Sequence, residues 1–536
     1  MSLATASLPS DPNELRAFAV SLQLEMQRQI AARDAEIYAK TLHIEKLRTQ
    51  LSVLRRARYG RSSEKLDREI EQLEFVIGDL EESHAESEKR TEAADTDPAK
   101  PTTSGRQDKK KERGGRKPLP DHLPCEEVVH EPACCCPTCG GTVFSRLGQD
   151  EREVLEYVPS YFKRVVHIRP KQSCRSCETI VQAPMPSLPI ERGRPGPNLL
   201  AHVLIAKYCD HLPLHRQSVI YARAGVELDR SVMASWVGEM AFLLDPLVQA
   251  IGRHARAGHA LHTDDTPVPV LSPGLGRTKT GRLWVVVRDE RPFGSSVPPA
   301  AFYRYSPDRK GKHAEALLGD CRGFLHADGY AGFNGLYAID PITQQSRLVE
   351  VACWSHARRK LYDVHVATSS PAAKEALERI GELFAVEADI KGQSAKDRRD
   401  ARRERSVPIL DELKIFLEAT LAKTSNKSSL AQAIRYATTR WEALKRFTTD
   451  GRLDICNNAA ERAIRPLALG RRNWTFAGSD TGGQRAAAIY TLIETAKMNR
   501  LDPEAYLADV IARIADYPIN QIEDLLPWNW QPPDVN

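Results

Sequence analysis

No run of about 20 apolar residues occurs anywhere in the 536-residue chain, which excludes an ordinary membrane-spanning helix. The opening MSLATASLPSDPNEL lacks a basic start followed by an apolar core, so no secretory signal is visible and a cytoplasmic location is expected. Large apolar side chains are almost missing from residues 83–120. That stretch cannot build a core and is expected to be a disordered basic linker, its run Lys109 to Lys117 either touching a nucleic-acid backbone or simply solvated. Proline and glycine are nearly absent from Asn13 to Glu82, apart from Gly60 and Gly78, so nothing there breaks a long helix.

A chain of this length exceeds a single core and divides into several domains. Its hydrophobic content of 41% suffices for real cores, and its net charge of +5 is compatible with a nucleic-acid partner without demonstrating one. In residues 13–82, Leu22, Met26, Ile30, Ile37, Ile44, Leu47, Leu51 and Leu54 recur at mixed three- and four-residue steps, the pattern of coiled-coil oligomerisation helices. A helical hairpin packed on the chain's own core is the plainer alternative. Within this stretch Arg55, Arg56, Arg58 and Arg61 surround a glycine and two serines, either a phosphate-gripping break or a solvated turn.

Seven of the 11 cysteines bunch between 125 and 177, and CxxC pairs in a chain without a secretory signal favour metal over disulfides. CPTCGG at 136–141 and CRSC at 174–177 are separated by strand-like alternation through REVLEYVPSYFKRVVHIRP. Each CxxC turn presents two thiolates, and two turns at the base of a β-hairpin close one tetrahedral zinc site. The expected ligands of one structural zinc are Cys136, Cys139, Cys174 and Cys177, with Cys134 or Cys135 able to take the first corner.

RGRPGP at 192–197 contains a short sequence found in minor-groove hooks, against the default of an ordinary loop. From Asn198 to His254 the pattern is helical. HLPLHRQSVIYARAGVELDRSVMASWVGEM reads as helix, turn at Ala224 to Val226, then a helix capped by Ser231 with Val232, Trp236 and Met240 on one buried stripe. A helix-turn-helix unit and a plain helical hairpin both fit.

Beyond it, HTDDTPVPV at 262–270, GRLWVVVRDE and AAFYRYS form three short β-rich runs, followed by a helix at GKHAEALLG, a strand GFLHADGY ending at Asp328, a strand SRLVEVACW and a helix SHARRKLYDV. The order βββ-α-β-α-β-α is that of an RNase H-like sheet. Residues 371–450 interrupt it with helical, Arg-rich sequence, and Glu461 follows on its own helix with Asn457 four residues before and Arg465 four after. An isolated acid in a sheet is costly unless a cation or a hydrogen-bond network meets it. Asp264, Asp328 and Glu461 brought within about 4 Å of each other would repel by several kcal/mol per pair at an effective dielectric near 20. Hard oxygen ligands suit Mg²⁺ or Mn²⁺, and two such ions can activate a nucleophile and stabilise the leaving oxygen at phosphorus.

These motifs, with KYCDHLPLHRQ, TKTGRLWVVVRD, ADGYAGF, CWSHARRK, NNAAERAIRP, GRRNWTFAGS and the terminal LLPWNW, make the chain resemble, over nearly its whole length, the large transposase of the insertion sequence sixty-six family, a bacterial DDE transposase. The resemblance implies catalytic, magnesium-binding acids at Asp264, Asp328 and Glu461, with two ions between them. It selects Asp264 over its neighbour Asp265, which alternation along a strand turns to the other face. Two positions depart from the family pattern: Asp265 stands where glutamate is usual, and Cys456 where aspartate precedes the paired asparagines. Arg358, Arg359, Lys360, Arg465, Arg471 and Arg472, with Arg216 in the helical segment, are the residues expected to meet DNA phosphates, the alternative being solvated charge.

The expected architecture is multidomain α+β: coiled-coil helices at 13–82, the linker at 83–120, a zinc-ribbon DNA-binding domain at 121–190, a helix-turn-helix-like domain at 191–256, an RNase H-like DDE catalytic domain at 257–480 with its helical insertion at 371–450, and a C-terminal helical element at 481–536. The function expected is binding of the element's terminal inverted repeats, cleavage at the 3′ ends and strand transfer into double-stranded target DNA by a homo-oligomer, with small accessory proteins as further partners and no membrane. The competing readings are a zinc-dependent DNA-binding regulator with an inactive RNase H-like core and a nuclease on the same fold.

Overall fold

The computed structural model describes residues 119–158, 161–190, 193–271, 278–339, 344–474 and 476–532. The chain divides into two units, 1–104 and 105–536, and all described residues belong to the second. The helices expected at 13–82, the arginines between 55 and 61 and the basic run at 109–117 lie outside the described residues.

The first sheet is built on a long antiparallel hairpin, β2 (Phe144–Val158) with β3 (Tyr161–Cys174), flanked by β1 (Cys125–Val129) parallel to β3 and by β4 (Ile180–Gln182) antiparallel to it. Its apolar residues Val154, Leu155, Phe162, Val166 and Ile168 are buried. The hairpin grips the helical segment that follows through one acid. Glu156, nearly buried, accepts a hydrogen bond from the Leu199 N–H (2.8 Å) at the start of α1 (Pro197–Tyr208), where the positive end of the helix dipole offsets the cost of burying its charge. Gly196 leaves room for it, since a Cβ there would fall 2.1 Å from Glu156 Oε2 and push that carboxylate from its place.

Helices α2 (Leu214–Arg223) and α3 (Arg230–Leu243) are joined through Gly225, whose φ of +76° favours glycine. The cap of α3 differs from expectation: Asp229, not Ser231, is the N-cap, its carboxylate accepting the Ser231 N–H at 2.9 Å. Val232 is accordingly exposed, and the buried stripe is Met233, Trp236, Val237 and Met240. Helix α4 (Asp245–Arg256) then leads into the second sheet.

That sheet has five strands in the order β7-β6-β5-β8-β9: β5 (Ala260–Leu271), β6 (Thr278–Arg288) and β7 (Ala300–Ser306) form the antiparallel meander, while β8 (Gly323–Ala327) and β9 (Leu348–Ala352) add parallel strands beside β5. Helix α5 (Gly311–Leu318) connects β7 to β8, and α6 (Trp354–Thr368) follows β9. The meander is buried almost throughout, with Trp284, Val285, Val286, Val287, Phe302 and Tyr303 in the core.

A second core lies in the insertion, where α6, α7 (Pro371–Asp389), α9 (Val407–Ala422) and α10 (Ser429–Thr438) pack together, α8 (Ala395–Ala401) lying outside it. Part of its arginine-rich run folds inward. Arg402 is fully buried, donating to both carboxylate oxygens of Glu387 (2.7 and 2.6 Å) and to the carbonyls of Phe447 and Leu453. Buried charges persist only when paired and fully hydrogen-bonded in this way.

After the insertion come α11 (Asn458–Trp474), α12 (Asp480–Met498) and α13 (Pro503–Arg513). Helix α12 seals the exposed edge of β7: the hydroxyls of Thr491 and Thr495 accept the backbone N–H groups of Tyr303 (3.0 Å) and Ala301 (3.2 Å). Among the described residues no single helix is long and apolar enough to cross a membrane.

Candidate functional site

Two clusters of chemistry-bearing side chains are assembled in quite different ways. In the first, two tight turns bring four cysteines together. The Cys136 N–H bonds to Gly141 O (2.9 Å) and the Gly140 N–H to Cys136 O (2.8 Å), while the Cys174 N–H bonds to Thr179 O (2.9 Å) and the Glu178 N–H back to Cys174 O (2.8 Å). The thiols meet at 3.3 Å for Cys136 with Cys177 and 3.6 Å for Cys139 with Cys174. Cys134 and Cys135 stay exposed outside the cluster, so the first corner belongs to Cys136.

The fit to zinc can be tested on the thiols themselves. Despite the Gly141 backbone N–H beside it, the neighbouring Cys177 and Cys174 hold the Cys139 thiol up to about 12, while the other three thiols of the cluster are lowered, so it is the fourth thiolate that a cation has to stabilise. All four sulfurs lie within 4.8 Å of one another, the donor set and spacing of a closed tetrahedral site. Gly141 keeps that space free, since a Cβ there would sit 3.3 Å from Cys174 Sγ and 3.4 Å from Cys139 Sγ.

The second cluster gathers side chains from three distant segments. Strands β5 and β8 pair in parallel only as far as His262↔His326, whose rings stack at 4.2 Å. Two residues further along each chain come Asp264 and Asp328. Burial raises the Asp264 carboxyl well above its ordinary value, and the charges of Asp328, Glu461 and Asp265 push it the same way. The three acids are less tightly drawn together than the expected 4 Å or so. Among the described residues, their oxygens do not form a set within 4.8 Å of one another.

The neighbouring Asp265 is engaged elsewhere. Its side chain is 2% exposed and forms ion pairs with Arg282 (3.1 Å) and Arg309 (2.7 Å), and Arg309 reaches on to Asp328 at 3.4 Å. Asp328 also accepts the Tyr330 N–H at 3.0 Å. Arg309, which stacks over the Tyr330 ring, had no distinguishing signal in the sequence beyond its place after β7.

Glu461 enters from the first turn of α11. The start of that helix is anchored to β5 by Asn457, whose side-chain amide donates to Thr263 O (2.9 Å) and whose Oδ1 lies 3.2 Å from His262 Nδ1. Asp454 continues the network, 3.6 Å from His262 and 3.0 Å from buried Arg398 of the insertion. Near Glu461 lie Cys353 and His356, the latter at 3.6 Å. Burial would lower the His356 imidazole, but the charges of Cys353 and Glu461 outweigh it and hold it up to about 9. The signal for this pair was present as a CxxH spacing at the start of α6. Cys456, at the position that departs from the family pattern, has its thiol pushed well up by burial and by Cys353 and Asp454.

Of the basic residues expected to meet DNA, Arg358 stacks on Tyr362 and Lys360 on Tyr436, both on α6 or its partner helix α10. Arg359 is close enough to act electrostatically on His356. Arg471 donates to the Pro267 carbonyl on β5. Arg465 is half-buried on α11, and burial lowers its guanidinium. Arg472 and Arg216 are exposed.

Comparison with known proteins decides the family. Residues 192–485 match the family described as "Transposase IS66 family", more than half of the chain. This chain belongs to that family. The same family's zinc-finger binding domain matches residues 133–178, spanning the four clustered cysteines; its C-terminal element matches 491–528; and the "Transposase C of IS166 homeodomain" matches 46–128. Similar proteins in Sinorhizobium fredii (strain NBRC 101917 / NGR234) include "Uncharacterized protein y4hP", 40% identical over 92% of this chain and 89% of its own length. Another is "Uncharacterized protein y4qI", 38% identical over 99% of both. The IS66 transposase thus combines transposase domains with a zinc-binding domain, and DNA is its partner.

Proposed function

We propose that this IS66 transposase binds the inverted ends of its element, cleaves at the 3′ ends and transfers the 3′-hydroxyl groups into target DNA, using Asp264, Asp328 and Glu461 as a DDE triad on an RNase H-like core. The observation that carries the reading is placement: Asp264 and Asp328 follow two residues beyond the last paired position of β5 and β8, and Glu461 comes from the first turn of α11, which Asn457 ties to β5. The strand order β7-β6-β5-β8-β9, with three antiparallel and two parallel strands, supports the RNase H-like assignment.

Burial and the charges of Asp328 and Glu461 raise the Asp264 carboxyl, and a hard cation would relieve the same crowding, so Asp264, Asp328 and Glu461 would hold two Mg²⁺ (or Mn²⁺) ions. When bound, such ions supply Lewis acidity toward the scissile phosphate and toward the attacking oxygen. The protein's own contribution is placement. Asn457 ties the Glu461 helix to β5, so the acid approaches Asp264 at a set distance. Arg309 and the Tyr330 N–H restrain Asp328. Exposed cations on α6 and α11, Lys360 and Arg472 among them, lie on the helices adjoining the acids and would hold the DNA backbone. The cysteine hairpin and the helices at 197–256 are assigned to end recognition, residues 13–82 to assembly of a homo-oligomer, and residues 257–480 to catalysis, with small accessory proteins as further partners.

Nicking of a labelled element end, measured with and without Mg²⁺, tests the proposal. Asp264→Asn, Asp328→Asn and Glu461→Gln should each lower cleavage and strand transfer by at least about 10²-fold, as removal of a group that stabilises transition-state charge does, while leaving end binding in place. End binding by the wild type without any Mg²⁺-dependent cleavage would replace this reading with that of a DNA-binding regulator.

A further inference from the structure

The cluster of Cys353, His356 and Glu461 has no part in the reading above beyond Glu461 itself. Their ligand atoms lie within 4.8 Å of one another. Both His356 Nδ1 and Glu461 Oε1 are buried and make no hydrogen bond, facing each other at 3.6 Å. That separation is too long for a hydrogen bond and matches the roughly 3.3–3.8 Å between two ligands held at about 2.0–2.3 Å by one tetrahedral ion. The contact is an ion pair only while the imidazole carries a proton, and a metal ion in place of that proton would partner both buried atoms at once. Cys353, 3% exposed, supplies the third donor, and its sulfur already accepts the Asn457 N–H at 3.2 Å, a contact that fixes its direction.

We infer that Cys353, His356 and Glu461 form a second transition-metal site, selective for Zn²⁺ or a similar borderline ion and separate from the four-cysteine cluster. The mixed sulfur, nitrogen and oxygen donor set disfavours Mg²⁺, which takes oxygen ligands in near-octahedral geometry. Three protein ligands leave a fourth position open to water or a phosphate oxygen, the arrangement of a non-structural zinc site. Because Glu461 belongs to both centres, zinc held here withdraws that carboxylate from magnesium, so the two ions compete. The competition rests on the catalytic reading of Glu461; occupancy of the site does not.

The test is metal content of the full chain dialysed against Zn²⁺. Wild type should retain two equivalents per chain; Cys353→Ser and His356→Ala should each lose one and keep the four-cysteine equivalent, with amide hydrogen exchange on β5 and β6 checking that the fold around the changed residues survives. One equivalent in the wild type, or two in both variants, overturns the site. If both variants unfold, Co²⁺ added to wild type whose four-cysteine site already holds zinc decides: a thiolate-to-cobalt charge-transfer band supports the site and its absence refutes it. Added zinc should slow Mg²⁺-dependent nicking, and unchanged nicking at full zinc occupancy overturns the competition. A wild type that never nicks DNA overturns the catalytic reading while leaving the metal count to judge this one.

Discussion

The cysteine cluster and the acid cluster are both places where like charges would crowd together, yet they are built on opposite plans. The cysteines come in two pairs, each pair held by a turn of a few residues, and the hairpin between them runs from Phe144↔Cys174 to Val158↔Tyr161 with one register shift between Arg146 and Gly148. Sulfur separations of 3.3 and 3.6 Å run from one turn to the other and follow from the pairing of the hairpin that joins them. The acids come from β5, from the residue after β8 and from α11, and what sets their spacing is a web of long-range contacts, Asn457 to Thr263, Arg309 to Asp328, Asp454 to Arg398. The cysteine site should therefore fail as a unit of local folding, and the acid site by loss of charge or of one restraint.

Stripping the two metals should expose that contrast most strongly. Removal of zinc, or Cys139→Ser, should unfold residues 125–190 locally, because thiolate–zinc binding in so small a module supplies on the order of 10 kcal/mol of folding energy. Protection of β2 and β3 amides from hydrogen exchange should collapse and end binding should weaken. Withholding Mg²⁺ should leave those amides protected while ending cleavage. Equal loss of protection on removing either metal would erase the distinction.

Asp265→Asn sharpens the comparison within the acid site. It removes the carboxylate that pairs with Arg282 and Arg309, but burial raises that carboxyl despite both arginines and Arg309 keeps Asp328, so a stability change of only about 1 kcal/mol or less is expected in denaturant unfolding. Cleavage per folded molecule should fall far less than with Asp264→Asn. If the folded Asp265→Asn protein were as inactive as Asp264→Asn, the catalytic role would have to pass to the pair together.

The smallest effect is electrostatic. The folded state holds the Asp264 proton more firmly than the unfolded chain, whose carboxyl keeps the ordinary value of 3.8. The stabilisation is then complete below that value and is lost as pH rises through the raised folded one. Metal-free Asp264→Asn should accordingly melt higher than wild type at neutral pH, by on the order of 2–4 °C for each ~1 kcal/mol relieved, and the difference should vanish in acid. Mg²⁺, which binds the ionised form, should stabilise wild type increasingly as pH rises. A melting difference independent of pH would point to packing instead.

Much of this protein was written into short stretches of its sequence. Two CxxC turns with strand alternation between them specify a four-thiolate hairpin because each ligand pair is set by neighbouring residues. The meander, α5, β8, β9 and α6 were legible from periodicity, and the acids were legible through the company of motifs they keep. The cap of α3 was not, since Asp229 and Ser231 both carry side chains able to cap and only packing of Met233 and Trp236 chooses between them. Nor was the inward turn of Arg398 and Arg402, because an arginine run looks the same whether it faces water or a buried Glu387. Only the tertiary structure set Asp265 against Arg309, tied Asn457 to β5 and drew His356 and Cys353 up to Glu461. Those contacts join residues as many as about two hundred positions apart, and their energies depend on burial and distance, which no local pattern of residues encodes.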